Sequence, residues 1–365
     1  MDNFQQILDN YARCFGANFV IAFSGGGDSM ALLALCREWQ LARQSQGFDV
    51  NINACIIDHG IAANSANVAQ AAFVAAQKLG VNAVIAKVST KIATKIQENA
   101  RKLRYELLVG YAHEIGAKII LLAHNKDDQI ETILFRMSRA TGLDGMVGMR
   151  ELRPITNAND IFLARPLLGA SRTQLREFLR KSNIQFYDDP ANINTQFSRV
   201  KIRKSTPVLT ANGFDGGKLL RIANLANTLR TRLDGQAIIY LATHLKEVNN
   251  QFILLHEFGS ALNLFQKRAI GALIFAISGK NYGINAEKLD DLCSKLASKG
   301  FKSATLANVQ IKRSAGNLKF MPAPPRGKTG KNSDFDSFKA IEKLNHALWH
   351  TSHADNTSKT GQYLA

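Results

Sequence analysis

The chain has 365 residues, and a hydrophobic fraction of 46% supports real cores and predicts two or three domains. The 46 Lys and Arg residues outnumber the 29 Asp and Glu residues, and the resulting net charge of +17 favours a polyanionic partner, either nucleic acid or an acidic membrane surface. The longest apolar stretches, such as residues 269–277, are far too short to span a bilayer, so we expect no membrane-spanning segment.

The N-terminus and the cysteines bear on the compartment. Residues 1–5 have neither the basic nor the apolar region of a signal peptide. The cysteines lack Cys-x-x-Cys spacing, so we expect neither structural disulfides nor a zinc cluster. A cytoplasmic protein is therefore predicted. The four cysteines are Cys14, Cys36, Cys55 and Cys293.

A glycine-rich hexapeptide joins the first predicted strand, residues 19–23, to a predicted helix that starts near residue 30. A glycine turn at this place lets backbone N–H groups approach a phosphate, with the helix dipole behind them. The loop has no lysine, which excludes a Walker A loop. The third glycine of a Gly-x-Gly-x-x-Gly dinucleotide fingerprint would fall at position 30, which is Met30, so that fingerprint is excluded as well. The hexapeptide consists of Ser24, Gly25, Gly26, Gly27, Asp28 and Ser29.

The pattern Ser-Gly-Gly-x-Asp-Ser resembles the PP-loop of enzymes that split ATP between the α and β phosphates. The resemblance implies ATP as substrate, with the hydroxyls of Ser24 and Ser29 and the backbone N–H groups of residues 25–27 holding pyrophosphate. Asp28 carries the same charge as phosphate and is instead expected to ligate Mg²⁺, which prefers hard oxygen ligands. The alternative is an ordinary strand-to-helix turn with Asp28 or Ser29 as the helix N-cap.

Strands and helices alternate beyond the loop. This alternation predicts an α/β fold, a doubly wound, mostly parallel sheet of the adenine nucleotide alpha hydrolase type. Polar clusters at three strand ends, residues 24–29, 58–60 and 124–131, should converge on one cleft. The predicted strands are 52–58, 83–88, 118–123 and 161–164, and the predicted helices are 68–79, 97–115, 126–139 and 173–182.

The predicted helix after residue 125 begins with acidic residues. Asp127, Asp128 and Glu131 are spaced so that their carboxylates share one face. Three like charges on one turn are costly unless a cation lies between them. The alternative is a solvated acidic turn in which Asp127 caps the helix.

The pattern of apolar residues in the second half of the chain predicts a long linker helix followed by a smaller α+β domain. The helix covers residues 216–245, with apolar positions at 219, 222, 225, 229, 233 and 237. Residues 314–317 should turn the last two strands of the small domain into a hairpin, and residues 335–348 repeat apolar side chains at helical spacing. The predicted domains are 1–212 (nucleotide), 213–248 (linker), 249–322 (small domain) and 323–365 (linker, amphipathic helix and polar tail).

Taken together, the motifs resemble one family, the tRNA(Ile)-lysidine synthases. The resemblance covers roughly the first 210 residues strongly and the 216–321 region in outline. The matching segments are residues 24–29, 58–60, 98–105, 123–132, 141–146, 165–168, 189–192 and 197–203.

This resemblance implies an enzyme that uses ATP to join free L-lysine to C2 of the wobble cytidine in the CAU anticodon of minor isoleucine tRNA. The cytidine is adenylated first, and lysine then displaces AMP. Asp28, Asp127, Asp128 and Glu131 are the expected catalytic residues, and Asp128 and Glu131 would bind the lysine ammonium. Asp58 and His59 are expected to bind ATP together with the glycine-rich loop, residues 24–29.

Basic residues complete the expected site. Arg101, Arg104 and His124 are candidates for contacts with the nucleotide phosphates or the target base. The alternative for Arg101 and Arg104 is that they form a solvated basic face of their helix. Arg172 and Arg176 lie on an i, i+4 stripe, for which a solvated face is the alternative, and residues 199–204 form a basic, strand-like run. The expected tRNA contacts are Arg172, Arg176, Arg199, Lys201 and Arg203.

Two other interpretations remain. A PP-loop tRNA thiolase would share the fold and the basic surface but needs a catalytic cysteine pair or a cysteine-bound cluster. A non-catalytic nucleotide- or tRNA-binding protein would not need Asp28 and the carboxylate cluster. A homodimer is left open.

Overall fold

The structure is a computed structural model that describes residues 3–60, 64–88, 96–138, 142–155, 158–186, 198–249, 251–255, 259–278 and 284–323, together with Ala340 and Leu344. The chain forms two compact units. Unit 1 contains Met1–Ser138 and Gly148–Leu219, and unit 2 contains Arg139–Val147 and Leu220–Ala365. The sequence-based division into four parts, 1–212, 213–248, 249–322 and 323–365, stays a prediction.

The secondary structure alternates in unit 1 and segregates in unit 2. In chain order the helices are α1 (Phe4–Phe15), α2 (Gly27–Gln44), α3 (Ser65–Lys78), α4 (Ile96–Glu114), α5 (Lys126–Met137), α6 (Gly142–Met146), α7 (Arg172–Lys181), α8 (Ser198–Ala211), α9 (Gly216–His244), α10 (Leu264–Ile277) and α11 (Ala286–Leu296). The strands are β1 (Asn18–Ala22), β2 (Asn51–Asp58), β3 (Asn82–Lys87), β4 (Ile119–Leu121), β5 (Leu152–Ile155), β6 (Ala158–Ala164), β7 (Leu245–Val248), β8 (Gln251–Leu254), β9 (Ser303–Leu306), β10 (Val309–Ser314) and β11 (Asn317–Pro322).

Unit 1 is built on a six-stranded sheet in the order β3-β2-β1-β4-β6-β5. All neighbours pair in parallel except β5, which runs antiparallel to β6 at the edge. Apolar side chains of α1, α2, α3 and α7 form one core cluster, and those of α4 form another with strand residues such as Val20 and Ile120. The prediction of a doubly wound, mostly parallel sheet is confirmed.

The parallel pairing brings the polar strand ends to one edge of the sheet. β1 pairs with β2 through Ala22 and Cys55 and with β4 through Ile21 and Leu121. The chain leaves these three strands at residues 23, 59 and 122, so the glycine loop and the two other polar clusters follow neighbouring strand ends. Residues 24–29, 58–60 and 124–131 therefore lie at one edge of the sheet, as predicted, and their convergence on one cleft stays a prediction.

Two elements of unit 1 differ from the sequence prediction. The basic run after residue 198 is the helix α8 and not a strand, because it packs on α5 and turns its arginine at position 203 toward that helix. The alternation of basic and apolar residues over 199–203 imitated a strand. The short antiparallel strand β5 contains Pro154, which suits an edge position because proline cannot donate to a ladder.

Unit 2 contains a five-stranded antiparallel sheet in the order β7-β8-β11-β10-β9. Helices α9, α10 and α11 contribute to its core. The predicted hairpin is present, since Ser314 pairs with Asn317 while Ala315 and Gly316 adopt positive φ. Of the predicted helix over 335–348, only Ala340 and Leu344 are described, and both are buried in this core.

The buried face of α9 does not follow the apolar positions of its sequence. Leu219 and Ala237 are buried, but Ile222, Leu225 and Leu229 are exposed by 49%, 67% and 55%. Two charged residues lie in the buried face, so an apolar pattern does not reveal it. The buried face contains residues 219, 223, 226, 230, 234 and 237.

A charge network explains how that face buries charged groups. Asp234 is fully buried and pairs with Arg268 of α10 and with Arg230 one helical turn earlier. Arg268 also donates to both carboxylate oxygens of Asp144 in α6, at 3.0 Å each. This ion pair connects α6, which comes from the first half of the sequence, to the rest of unit 2.

No helix within the described ranges combines the length and the apolar character needed to cross a membrane.

We expect Asp234→Ala to lower the free energy of unfolding of unit 2 by about 3–5 kcal/mol, since it leaves the buried Arg230 without its counter-charge and removes one of the two carboxylates that bind Arg268. Thermal or urea denaturation of the full chain measures this change. Asp290→Ala is the matched control, because Asp290 makes an exposed pair with Lys267 that is worth less than about 1 kcal/mol. Equal effects of the two substitutions would contradict the role given to the network.

Candidate active site

The glycine loop opens the first turn of α2 to an anion. Gly25 has φ +79°, Gly26 is extended, and α2 starts at Gly27 without a side-chain cap. The hydroxyl of Ser29 donates to the carbonyl of Gly26 at 2.9 Å and lies 3.1 Å from the hydroxyl of Ser24. Neither Asp28 nor Ser29 caps the helix, which disfavours the ordinary turn as an explanation. A helix start without a side-chain cap can donate its first N–H groups to an anion.

Gly25 and Gly27 of the loop are closely packed, and Gly25 also has a positive φ. A Cβ at position 25 would lie 3.1 Å from the Cβ of Ala72, and one at position 27 would lie 3.0 Å from the ring of Phe186. Beside the loop is a cavity of about 350 Å³. Its lining includes Ser24, Gly25, Met30, Asn64, Val68 and Phe186.

The cluster after β2 joins two residues predicted at the nucleotide. Asp58 accepts from the N–H of Gly60 at 3.0 Å, and this bond, with one from the Ser65 hydroxyl, lowers the pKa of Asp58. Arg104 donates through Nε and Nη2 to Nε2 of His59, at 3.2 and 3.0 Å. Burial, and then Arg104, lower the pKa of His59, so its imidazole is neutral at pH 7. Asp58 therefore stabilises the turn that follows β2, and the imidazole of His59 is held by hydrogen bonds from Arg104.

A second histidine–arginine pair follows β4. Arg165 is only 4% exposed and donates from Nε to Nδ1 of His124 at 3.2 Å and from Nη1 to the carbonyl of Arg150 at 2.7 Å. Burial and then the charge of Arg153 lower the pKa of Arg165 to about 10. Arg101 lies over the ring of Tyr105, 5.0 Å from its centroid. Sequence reasoning placed Arg165 only within a motif, and its burial gave no sequence signal.

The acidic helix α5 is capped by Asn125 and not by Asp127. Asn125 accepts from the N–H of Asp128 at 3.0 Å, and Asp128 accepts from the N–H of Asn125 at 3.1 Å, which is a capping box. Asp127 instead accepts from the N–H of Arg172 at 2.7 Å. Its carboxylate therefore connects the start of α5 to the start of α7.

The side chain of Arg172 lies among three carboxylates predicted to be catalytic. Its Nε is 3.4 Å from Asp28, its Nη2 is 2.9 Å from Asp128 and its Nη1 is 3.8 Å from Glu131. Arg203 binds Glu131 through Nε at 2.8 Å and Nη2 at 3.2 Å. Asp28, Asp128 and Glu131 thus form one acidic cluster, with Arg172 and Arg203 as its counter-charges.

The three carboxylates differ in accessibility. The side chain of Glu131 is 8% exposed, that of Asp128 is 20% exposed and that of Asp28 is 29% exposed. Burial raises the pKa of Asp128 to about 6, against the opposing effects of the Asn125 N–H group and Arg172. The carboxylate of Asp128 is therefore still accessible to a cation, and its pKa lies close to neutral pH.

The residues predicted to contact tRNA lie in different surroundings. Arg172 and Arg203 both pair with carboxylates of the acidic cluster, which the sequence did not indicate, although the side chain of Arg203 is still 40% exposed. Arg176 lies over the ring of Phe186, 5.8 Å from its centroid. The side chains of Arg199 and Lys201 lie outside the described part of the chain.

Among the described residues, no group of three or more His, Cys, Asp or Glu side chains is arranged to hold a metal ion. Asp28 alone, at the phosphate loop and partly exposed, fits the way proteins bind Mg²⁺, with one or two carboxylates and the remaining ligands from phosphate and water.

Comparison with known proteins defines the class first. Residues 2–209 match the family model of the PP-loop domain, which covers the glycine loop, the sheet and the acidic cluster. The chain is a PP-loop protein.

The curated relatives define the family within this class. A tRNA(Ile)-lysidine synthase of Bradyrhizobium sp. is 31% identical over 85% of this chain and 91% of its own length. One from Rhodopseudomonas palustris is 32% identical over 84% and 91%. The chain belongs to the tRNA(Ile)-lysidine synthase family, which are ligases, and the family predicted from the sequence is confirmed. Among solved structures, a U34-tRNA thiolase of Methanococcus maripaludis has a TM-score of 0.49 at 14% identity, covering 62% of this chain and 78% of that one.

We expect Gly25→Ala to weaken ATP binding at least about 10-fold, because the positive φ costs about 1–2 kcal/mol and the new Cβ displaces the loop from Ala72. Gly47→Ala is the matched control, since Gly47 has φ +86° with open space around it. Both variants should lose similar stability in thermal melts, and only Gly25→Ala should lose ATP affinity by calorimetry. Equal ATP affinity in the two variants would contradict the role of the loop.

Proposed function

We propose that the protein uses ATP to join free L-lysine to C2 of the wobble cytidine in the CAU anticodon of minor isoleucine tRNA. The adenylated cytidine is the intermediate, and AMP and pyrophosphate are released. The observation that carries the proposal is the acidic cluster, in which Asp28 of the phosphate loop and Asp128 and Glu131 of α5 surround one guanidinium group. Carboxylates directly beside a phosphate loop suit a cationic nucleophile.

The first step is adenylation. The cytidine O2 attacks the α-phosphorus, a bond from O2 to phosphorus forms, and the bond to pyrophosphate breaks. The N–H groups at the start of α2 and the hydroxyls of Ser24 and Ser29 stabilise the departing charge. His59 and His124 follow the ends of β2 and β4, and Arg104 of α4 donates to His59. These three residues and Arg101 of α4 are proposed to orient the nucleotide or the base.

Mg²⁺ is proposed to bind at Asp28. When bound there with the phosphate oxygens and water, it neutralises charge on the transferring group. The partly exposed carboxylate at the phosphate loop supports this assignment.

The second step is attack by lysine. Free lysine carries an ε-ammonium with a pKa of ~10.4, so it must lose a proton before its nitrogen attacks C2 and AMP leaves. Asp127 is engaged by a backbone N–H group, and Glu131 is buried against Arg203. The side chain of Asp128 is partly exposed and burial raises its pKa to about 6, which makes it the proposed base, with Glu131 assisting in ammonium binding.

The RNA partner is supported by charge and by family. The surplus of +17 supplies the polyanion-binding surface. Arg176, Arg199 and Lys201 are proposed to contact the tRNA backbone, and the cytoplasm is the proposed location. A homodimer is not needed for any residue of the described site.

The cysteines argue against the thiolase alternative. Burial raises the pKa of Cys55 to about 12 and that of Cys293 to about 11, and Cys36 is buried with a raised pKa as well. Such thiols are poor sources of thiolate. The exposed Cys14 has no neighbouring cysteine in sequence.

The central experiment incubates the protein with ATP, labelled lysine and unmodified minor isoleucine tRNA. Label in the RNA with matching release of AMP and pyrophosphate is the expected result. Methionine tRNA should remain unlabelled, and its labelling would contradict the proposed specificity. No label in any RNA would overturn the function.

Asp128→Asn should slow the lysine step at least about 100-fold, since it removes a general base. Pyrophosphate release with ATP and tRNA alone should change much less. Asp160→Asn is the control, because Asp160 is an exposed partner of His113. An unchanged lysine step in Asp128→Asn would sink the assignment of the base.

We expect the affinity for tRNA to fall at least about 100-fold between roughly 50 and 200 mM salt, because phosphate contacts release counterions. Filter binding or fluorescence anisotropy over this range measures the slope. A flat salt dependence would count against the basic surface as an RNA platform.

A further inference from the structure

We propose that Arg172 is a positioning residue for the lysine step and not a tRNA contact. This rests on the proposed function. The basis is the contact set of its side chain, in which each guanidinium nitrogen lies near a different carboxylate: Asp28, Asp128 or Glu131. A side chain oriented in this way has no nitrogen directed to a phosphate backbone.

The backbone of Arg172 is held as firmly as its side chain. Its N–H donates to Asp127 at 2.7 Å, and the N–H of Lys126 donates to the carbonyl of Ala170 at 2.8 Å. A capping box between Ser171 and Gln174 completes the start of α7. The starts of α5 and α7 are therefore joined by two hydrogen bonds, at positions 170 and 172, which hold the backbone of the arginine close to the carboxylates of α5.

The number of charges in the cluster suggests what Arg172 does there. Asp28, Asp128 and Glu131 carry three negative charges, and Arg172 and Arg203 supply two positive ones. One negative charge remains before Mg²⁺ or lysine binds, so the cluster as a whole favours cations. Without Arg172, Asp28 and Asp128 would repel each other, and an incoming cation would meet carboxylates that are no longer held in place.

The orientation of Asp128 shows the same effect at the level of atoms. Its Oδ2 accepts from the N–H of Asn125, and its Oδ1 accepts from Arg172 at 2.9 Å. These two contacts fix the plane of the carboxylate. Removing the second contact frees the torsion of the group that is proposed to receive the lysine proton, so the loss should appear in the lysine step.

The experiment compares Arg172→Gln and Arg172→Lys with the full-length wild type in three assays. These are the KM for lysine, the rate of pyrophosphate release with ATP and tRNA but without lysine, and the salt slope of tRNA binding. Lys181→Gln is the control, since Lys181 lies on the same helix and pairs with Glu177 in solvent. Thermal melts show whether each variant is folded.

We expect Arg172→Gln to raise the KM for lysine at least about 10-fold and to slow pyrophosphate release by a smaller factor, through its contact with Asp28, with an unchanged salt slope. Arg172→Lys restores one charge but cannot reach three carboxylates, so its KM should lie between the two. If Arg172→Gln does not fold, the KM of Arg172→Lys decides alone.

Two results would overturn the inference. A salt slope lower by about 0.7–0.9 with unchanged lysine KM would make Arg172 a phosphate contact of the tRNA. Loss of pyrophosphate release with unchanged lysine KM would place it at ATP. Failure of the proposed function is recognised separately, because the wild type itself would then incorporate no lysine.

Discussion

The parallel pairing of β1 with β2 on one side and β4 on the other is the constraint on which the site depends. Hydrogen bonds along these ladders align the ends of three strands that are far apart in sequence. The loops that follow must then emerge at one edge, each with its own polar residues. Helix α2 starts at this edge with an uncapped turn, and α5 starts there with a capped, acidic one.

Charge compensation is the second requirement of the site. Carboxylates with 8–29% of their side chains exposed are costly unless cations lie close to them. The protein supplies these cations from α7 and α8, two helices that follow the sheet in sequence. Unit 2 solves a similar problem differently, with a fully buried aspartate between two arginines. In both units, removing one charged partner should lower the free energy of unfolding by more than the energy of the lost contact, because another charge is left without its counter-charge.

The sequence indicated much of the fold and part of the site. The loop at 24–29 and the alternation of elements carried local signals, so the sheet and its polar edge were predicted. The place of Arg172 was not, because it lies 144 residues from Asp28, and its i, i+4 stripe has the appearance of a solvated face. The buried side of α9 was missed for a related reason, since Arg230 and Asp234 look like surface residues until their partners are known. Pairings between distant elements decide such positions, and no local pattern encodes them.

The attachment of Asp144 to Arg268 has a consequence for the architecture of the chain. Because residues 139–147 belong to unit 2 while the residues on either side belong to unit 1, the chain passes between the units three times. A fragment that ends at residue 219 would carry this segment without Arg268, and a fragment that begins at residue 220 would present Arg268 without Asp144. The two units are therefore not exchangeable modules, and recombination with a relative would have to replace two separate stretches of sequence together.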